Sequence, residues 1–199
     1  VLRRHPFQPV VPLPTTPEPV TVSLPFPFPR AAAALLAATV LSACAGDGRP
    51  PRCPDPVVLR EAGRLVEFRD AGRDLTDVRF EAQILDVALG CEIEEDDGKR
   101  TVEAELQLLF QAEKGPANDS GEARFTYFVA VADRSDNVLA RQTFDLTMPL
   151  RGNQTQARGT DVLEPTIPLK EGDTGASYVV YVGFDLTRDQ LEYNRRNPL

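Results

Sequence analysis

From about residue 76 onward, apolar and polar residues alternate with a period of two, the pattern of half-buried β-strands. The clearest case is the segment 101–113, in which one set of alternate positions is entirely apolar. These positions are Val102, Ala104, Leu106, Leu108, Phe110 and Ala112. The positions between them are mainly polar, including Thr101, Glu103, Glu105, Gln107 and Gln111. This pattern predicts an antiparallel strand with one face on a core and the other in solvent.

The preceding segment alternates in the same way but changes phase once. Phe80, Ala82 and Ile84 share one face, whereas Leu85 and every second residue up to Ile93 share the other. A slip of one residue at this point predicts a β-bulge or a strand that crosses between sheets. The acidic run that follows ends in Asp97-Gly98, a strong signal for a hairpin turn into the next strand.

Four later segments complete the predicted strands. Phe125–Asp133 and Tyr178–Leu186 are apolar on both faces, which favours central positions. Val138–Leu150 alternates, with Phe144, Leu146 and Met148 inward. Asp161–Leu169 contains two prolines, which suits the edge of a sheet.

Two segments have helical patterns. In Val57–Phe68 the apolar residues recur at helical spacing, which predicts a short amphipathic helix, with a strand as the alternative. Near the end of the chain, Thr187-Arg-Asp-Gln190 matches a capping box and predicts a short helix over Arg188–Arg195.

About seven strands without βαβ alternation predict an all-β fold, an antiparallel β-sandwich with short flanking helices. The residues Leu169, Gly172, Tyr178, Val180 and Val182 resemble the corner before a late strand in immunoglobulin-like and fibronectin-type-III-like domains. In those folds a tyrosine near the strand start bonds back to the preceding turn, so the resemblance implies that role for Tyr178.

The stretch Ala31–Cys44, AAAALLAATVLSAC, is too short to span a bilayer and has the length of a signal-peptide core. Arg30 precedes it, and Leu41-Ser42-Ala43-Cys44 ends it. The stretch resembles a bacterial lipoprotein signal peptide with its lipobox. The resemblance implies cleavage before Cys44, a thioether-linked diacylglycerol on its sulfur and a fatty-acyl chain such as palmitate on its amine. The alternative is a buried Ala-rich helix that contains a cysteine by chance.

This interpretation divides the chain into four parts. Residues 1–29 are a Pro-rich disordered segment, which in our interpretation lies upstream of the true start. Residues 30–43 are the signal peptide. Residues 44–56 are a tether, and residues 57–199 are the sandwich domain. Over residues 44–199 the chain resembles a family of uncharacterised proteobacterial lipoproteins. Ala45 after the lipidated cysteine implies the outer membrane, since Asp at that position is associated with retention in the inner membrane.

The formal net charge is −8. This acidity argues against nucleic acid as a partner, because phosphate binding needs Lys and Arg patches. With Cys44 lipidated, Cys53 and Cys91 remain as an even pair, which predicts a disulfide in an oxidising compartment. Two free buried thiols or half of a metal site are the alternatives.

Candidate chemistry is sparse. His5 is the only histidine and lies upstream of the signal. We therefore expect no catalytic residues, no metal and no cofactor, and a non-enzymatic envelope lipoprotein that binds or scaffolds a protein partner. One alternative is an envelope hydrolase with paired carboxylates, for which Glu92–Asp97 is the obvious place. The others are weak Ca²⁺ binding by Glu94, Asp96 and Asp97, and a ligand carrier with an apolar pocket between the sheets. The basic C-terminal end, Tyr193–Arg196, is a further candidate docking site.

Overall fold

The computed structural model describes residues 2–4, 8–9, 52–70 and 72–198. The structure is mostly β. In chain order the strands are β1 (Leu2–Arg4), β2 (Gln8–Pro9), β3 (Asp55–Val58), β4 (Arg64–Phe68), β5 (Val78–Asp96), β6 (Lys99–Lys114), β7 (Glu122–Asp133), β8 (Val138–Pro149), β9 (Gln156–Pro168) and β10 (Tyr178–Phe184). The helical elements are three 3-10 turns, Arg60–Ala62, Leu75–Asp77 and Gly175–Ser177, and one α-helix, α1 (Arg188–Arg196).

The strands form two sheets. Sheet I has the order β1-β9-β6-β5-β4, and β2 also pairs with β9. Sheet II has the order β3-β10-β7-β8. Neighbours are antiparallel except for β3, which runs parallel to β10. The predicted antiparallel β-sandwich is thereby confirmed.

The core lies between the sheets, where inward side chains from both form one apolar cluster. Phe110 of β6 is fully buried, and its ring centroid lies 5.0 Å from that of Tyr127, 5.6 Å from Phe125 and 6.1 Å from Phe184. These aromatic contacts join β6 of sheet I to β7 and β10 of sheet II. All six predicted inward residues of β6 are buried.

The phase slip in the sequence is a β-bulge. The β5–β6 register shifts between Ile84 and Asp86, which leaves Leu85 without a partner within one continuous strand. The hairpin prediction is also confirmed, because Asp96 pairs with Lys99 and only Asp97 and Gly98 lie between them. Both turn residues have positive φ, 48° and 73°, as a type I′ turn requires.

The helix predicted for Val57–Phe68 is wrong. This segment contains the end of β3, a single 3-10 turn at Arg60–Ala62 and β4. The chain passes here from sheet II to sheet I, so Val58 and Leu65 face the same core from different sheets. Their helix-like spacing arises from this crossing, and the alternative of strand is correct for most of the segment.

The C-terminal helix is confirmed as α1. Thr187 Oγ1 accepts a hydrogen bond from the Gln190 amide at 3.3 Å, and Gln190 Oε1 accepts one from the Thr187 amide at 2.8 Å. Within the described ranges, the structure contains no helix of sufficient length and apolarity to span a membrane. Cys44 and the predicted signal peptide lie outside the described residues.

Two observations concern the predicted domain boundaries. β3 begins at Asp55, just before the predicted domain start at 57. β1 and β2 lie within residues 1–29, for which the sequence pattern predicts no regular structure, and they pair with the outer side of β9. β9 is therefore flanked on both sides in this structure, although its prolines are typical of an edge strand.

Candidate functional site: the disulfide end and the charged surfaces

Cys53 and Cys91 form the disulfide that the cysteine count predicts. The S–S distance is 2.09 Å and the Cα–Cα distance is 5.6 Å. Cys53 lies just before β3 of sheet II, and Cys91 lies in the distal half of β5 of sheet I. The bond therefore joins the two sheets at the point where the chain enters the sandwich. Closing a loop with a sequence separation of 38 stabilises the fold by roughly 3–4 kcal/mol on the chain-entropy model.

We call the region around this bond the disulfide end, and polar contacts reinforce it. Arg134 of the β7–β8 turn forms an ion pair with Asp55, and its Nε donates to the Ala176 carbonyl at 2.7 Å. Asp133 accepts hydrogen bonds from the Ser135 and Asn137 amides and from the Asn137 side chain. The Asn137 side-chain bond is the main reason why the pKa of Asp133 is lowered. These contacts hold the β7–β8 turn beside β3, where the chain enters the sandwich.

Tyr178 is the first residue of β10. Its hydroxyl donates to Asp173 Oδ2 at 2.8 Å, so the side chain bonds back to the preceding turn. The acceptor is a carboxylate side chain. Burial first, and then the hydrogen bond to Asp173, raise the pKa of Tyr178 above its ordinary value.

Four glutamates cover the outer face of sheet I near the disulfide end, and we call them the glutamate patch: Glu92, Glu103, Glu105 and Glu164. Glu92 lies directly opposite Glu103 in the β5–β6 register. Glu103 accepts a hydrogen bond from Thr166 Oγ1 at 2.8 Å, and Glu105 accepts one from Gln107 Nε2 at 2.6 Å. The patch surrounds an open cleft of about 540 Å³ whose floor includes Gly90. Like charges in opposite positions destabilise a sheet, so this surface is chemically suited to a cationic partner.

The acidic run Glu92–Asp97 forms the end of the β5–β6 hairpin. Ile93 is half-buried, and the acidic residues are exposed. The predicted calcium ligands Glu94, Asp96 and Asp97 are not drawn together, since no group of three or more potential ligands among the described residues is placed to hold a metal. The structure thus gives this run the geometry of a solvated hairpin end.

A second surface, the arginine cleft, lies beside α1 and is lined by Arg60, Arg64 and Arg195. It has a volume of about 330 Å³. Asn194 is buried at its margin, where Nδ2 donates to the carbonyls of Glu61 and Arg64 at 2.9 and 2.6 Å. These bonds fasten α1 to the crossing between the sheets. The basic C-terminal end predicted from the sequence therefore forms part of a larger basic surface. No pattern in the sequence marks Asn194.

Contacts with neighbouring residues hold Tyr193 of the predicted docking site, and Arg64 of the arginine cleft, in place. Tyr193 packs edge-on against Phe68, with ring centroids 5.2 Å apart. Arg64 forms two hydrogen bonds to the Glu81 carboxylate, at 2.8 and 2.7 Å. Tyr193 and Arg64 thus stabilise the fold, whereas Arg60 and Arg195 lie toward the cleft.

The buried polar pair between the sheets was not predicted from the sequence. Asp161 of β9 is fully buried and accepts a hydrogen bond from Tyr127 Oη at 2.7 Å. It is the one buried carboxylate within the described ranges, where the other buried polar residues are Gln111 and Asn194. The described residues therefore contain no pair of buried carboxylates.

The space between the sheets is occupied by side chains. Tyr127, Phe110 and Phe184 are each less than 2% exposed. The clefts around the described residues, including the cleft of the glutamate patch, open to solvent and are lined largely by charged and polar groups. The site chemistry in this part of the chain thus consists of surfaces of opposite charge.

Comparison of the chain with protein-family models, with curated proteins and with solved structures finds no match.

Proposed function

We propose that this chain is a lipid-anchored envelope protein that faces the periplasm from the outer membrane, with a non-enzymatic binding or scaffolding role. The anchor is the lipidated Cys44 of the Leu41-Ser42-Ala43-Cys44 motif. The observation that carries the proposal is the order of features, in which a signal-like segment and its cysteine are followed directly by a disulfide-bonded domain. Disulfides form and persist in oxidising compartments outside the cytoplasm.

The disulfide end supports an anchored geometry. Cys44 precedes Cys53 by nine residues, which span at most about 30 Å when fully extended. Cleavage before Cys44 would leave the sandwich held close to the bilayer by the disulfide end. The disulfide would then transmit the attachment to both sheets.

The charged surfaces support a binding role. The glutamate patch and the arginine cleft are both accessible to solvent and lie on rigid strands or beside α1. Surfaces of opposite charge favour specific orientation of a partner and faster encounter.

Metabolic labelling with an alkyne-tagged fatty acid tests the anchor. We expect the wild-type protein to carry label and to remain with the membrane fraction, and Cys44→Ala to lose both properties. The matched control is the double variant Cys53→Ala and Cys91→Ala, which should keep the label. Equal labelling of wild type and Cys44→Ala, or no label on either, would overturn the anchored assignment.

A further inference from the structure

The edge of β9 that faces away from β6 is paired with strands formed by the first residues of the same chain. β1 pairs antiparallel with it, placing Leu2 opposite Pro165, Arg3 opposite Glu164 and Arg4 opposite Leu163. β2 continues the ladder, with Gln8 opposite Thr160 and Pro9 opposite Gly159. The other side of β9 is paired with β6 along most of its length. The sandwich thus accepts an additional strand along this edge.

These first residues precede the cysteine at which processing would occur. Cleavage before Cys44, which the proposed function requires, removes every residue before Cys44, and a start downstream of residue 29 would equally exclude β1 and β2. The backbone groups of residues 159–160 and 163–165 on the edge of β9 that faces away from β6 then lose their strand partner. An exposed edge with unpaired N–H and C=O groups is a template for a strand from another chain.

We propose that in the processed protein this edge binds an extended, basic segment of a partner protein, antiparallel to β9, where β1 and β2 pair in this structure. The inference depends on the proposed function through the cleavage step. It assigns the partner a defined chemistry, a strand with cationic residues opposite Glu164.

The charge requirement follows from the surface beside the edge. Glu164 belongs to the glutamate patch, which continues across β6 to Glu103 and Glu105. The strand that pairs here places Arg3 in the register position opposite Glu164, with Arg4 next to it. Backbone pairing supplies affinity in this mode of recognition, and the glutamates select a cationic sequence.

The edge also accepts proline. Pro9 lies opposite Gly159, and Pro165 lies within β9 itself. Proline is tolerated at sheet edges because its missing N–H can face away from the ladder. A partner segment of mixed basic and proline residues therefore fits this edge.

The test compares the processed lipoprotein, purified in detergent, with the uncleaved Cys44→Ala precursor. The probe is a fluorescent peptide of residues 1–10, VLRRHPFQPV, and the readout is fluorescence anisotropy. We expect the peptide to bind the processed protein and to bind a precursor produced with residues 1–43 at least about tenfold more weakly, because β1 and β2 occupy the edge from within the precursor chain. A peptide with both arginines replaced by glutamate should bind far more weakly.

Variants of the protein locate the binding. Glu164→Gln should weaken peptide binding by about fivefold, which corresponds to the loss of one favourable surface ion pair. The matched control is Glu192→Gln on α1, which should leave binding unchanged. Equal effects of the two variants would show that the peptide does not bind beside Glu164.

Backbone methylation distinguishes strand pairing from charge attraction alone. One peptide is N-methylated at residues 2 and 4 and another at residue 3. Strand pairing predicts that only one of the two loses binding, since alternate N–H groups point to opposite sides of a strand. Equal binding of both peptides would contradict strand addition.

The mass of the purified protein separates the two possible failures. A cleaved, lipidated protein that does not bind the peptide overturns this inference and leaves the proposed function intact. A protein that retains residues 1–43 overturns both, because the edge then keeps its own strand.

Discussion

The two halves of β5 are held in different ways. From Phe80 to Gln83 the strand pairs with β4 on one side and with β6 on the other. From Asp86 to Asp96, β6 is its one pairing partner among the described strands, and the disulfide from Cys91 to Cys53 provides the second attachment. In the distal half of β5, the disulfide takes the place that β4 has beside the first half. The half held this way keeps an open edge that carries acidic residues, which discourage nonspecific pairing.

The two halves of β5 should differ most in the loss of stability caused by truncating a core side chain beside each half to alanine. Phe110 lies opposite Ile84 and is fully buried, so Phe110→Ala should cost about 3–5 kcal/mol of unfolding free energy. Leu89 of the distal half is half-buried, so Leu89→Ala should cost only about 1 kcal/mol. Urea unfolding followed by circular dichroism measures both. Similar costs for the two variants would show that the halves are equally essential to the core.

Removal of the disulfide should destabilise the distal half of β5 more than the half that β4 pairs. The variant Cys53→Ser with Cys91→Ser should lose about 2–4 kcal/mol of stability. Amide hydrogen exchange should quicken most in residues 86–96 of β5 and least in residues 78–83, which β4 still pairs. A uniform increase along the strand would contradict a local role for the bond.

The smallest effect concerns the turn Asp133–Asn137, which is held at the disulfide end by hydrogen bonds and by the Arg134–Asp55 ion pair. The Asn137 side chain is the largest cause of the lowered pKa of Asp133. Because the folded pKa lies below the unfolded value of about 3.9, this contribution to stability is complete above that pH and lost as pH falls through the folded pKa.

NMR titration of the Asp133 carboxyl tests this account. Asn137→Ala should move the pKa of Asp133 upward toward its ordinary value, with the change in stability confined to acidic pH. Asn118→Ala, in the separate loop before β7, is the control and should leave the Asp133 titration unchanged. An unchanged pKa of Asp133 in Asn137→Ala would refute the role of that side chain.

The sequence predicted β5, β6 and the turn between them because their signals are local. Alternation fixes which residues of β6 face the core, a single phase change marks the bulge at Leu85, and Asp97-Gly98 requires a turn with two positive φ values. Each of these signals depends on residues close together in the chain. The order of strands in the two sheets depends on distant pairings, which no local pattern contains.

The features that the sequence did not predict depend on contacts between distant parts of the chain. Val58 and Leu65 have helical spacing because the chain turns between sheets, and a periodicity analysis assumes one continuous element. Asp161 lies at an inward position of an otherwise apolar face, and its partner Tyr127 is on the opposite sheet. The carbonyls that Asn194 binds are about 130 residues earlier in the chain. Tertiary contacts determine all three, so the sequence pattern did not reveal them.

The disulfide also determines how the domain bears mechanical load. A force applied through the residues before Cys53 would meet β3 first, and β3 is a four-residue strand that pairs with β10. On its own, such a strand would peel away at low force. The bond to Cys91 transfers the load to β5, which is paired with β6 over almost its whole length. Many hydrogen bonds of the hairpin then share the force, so the attachment resists pulling better than the short first strand alone.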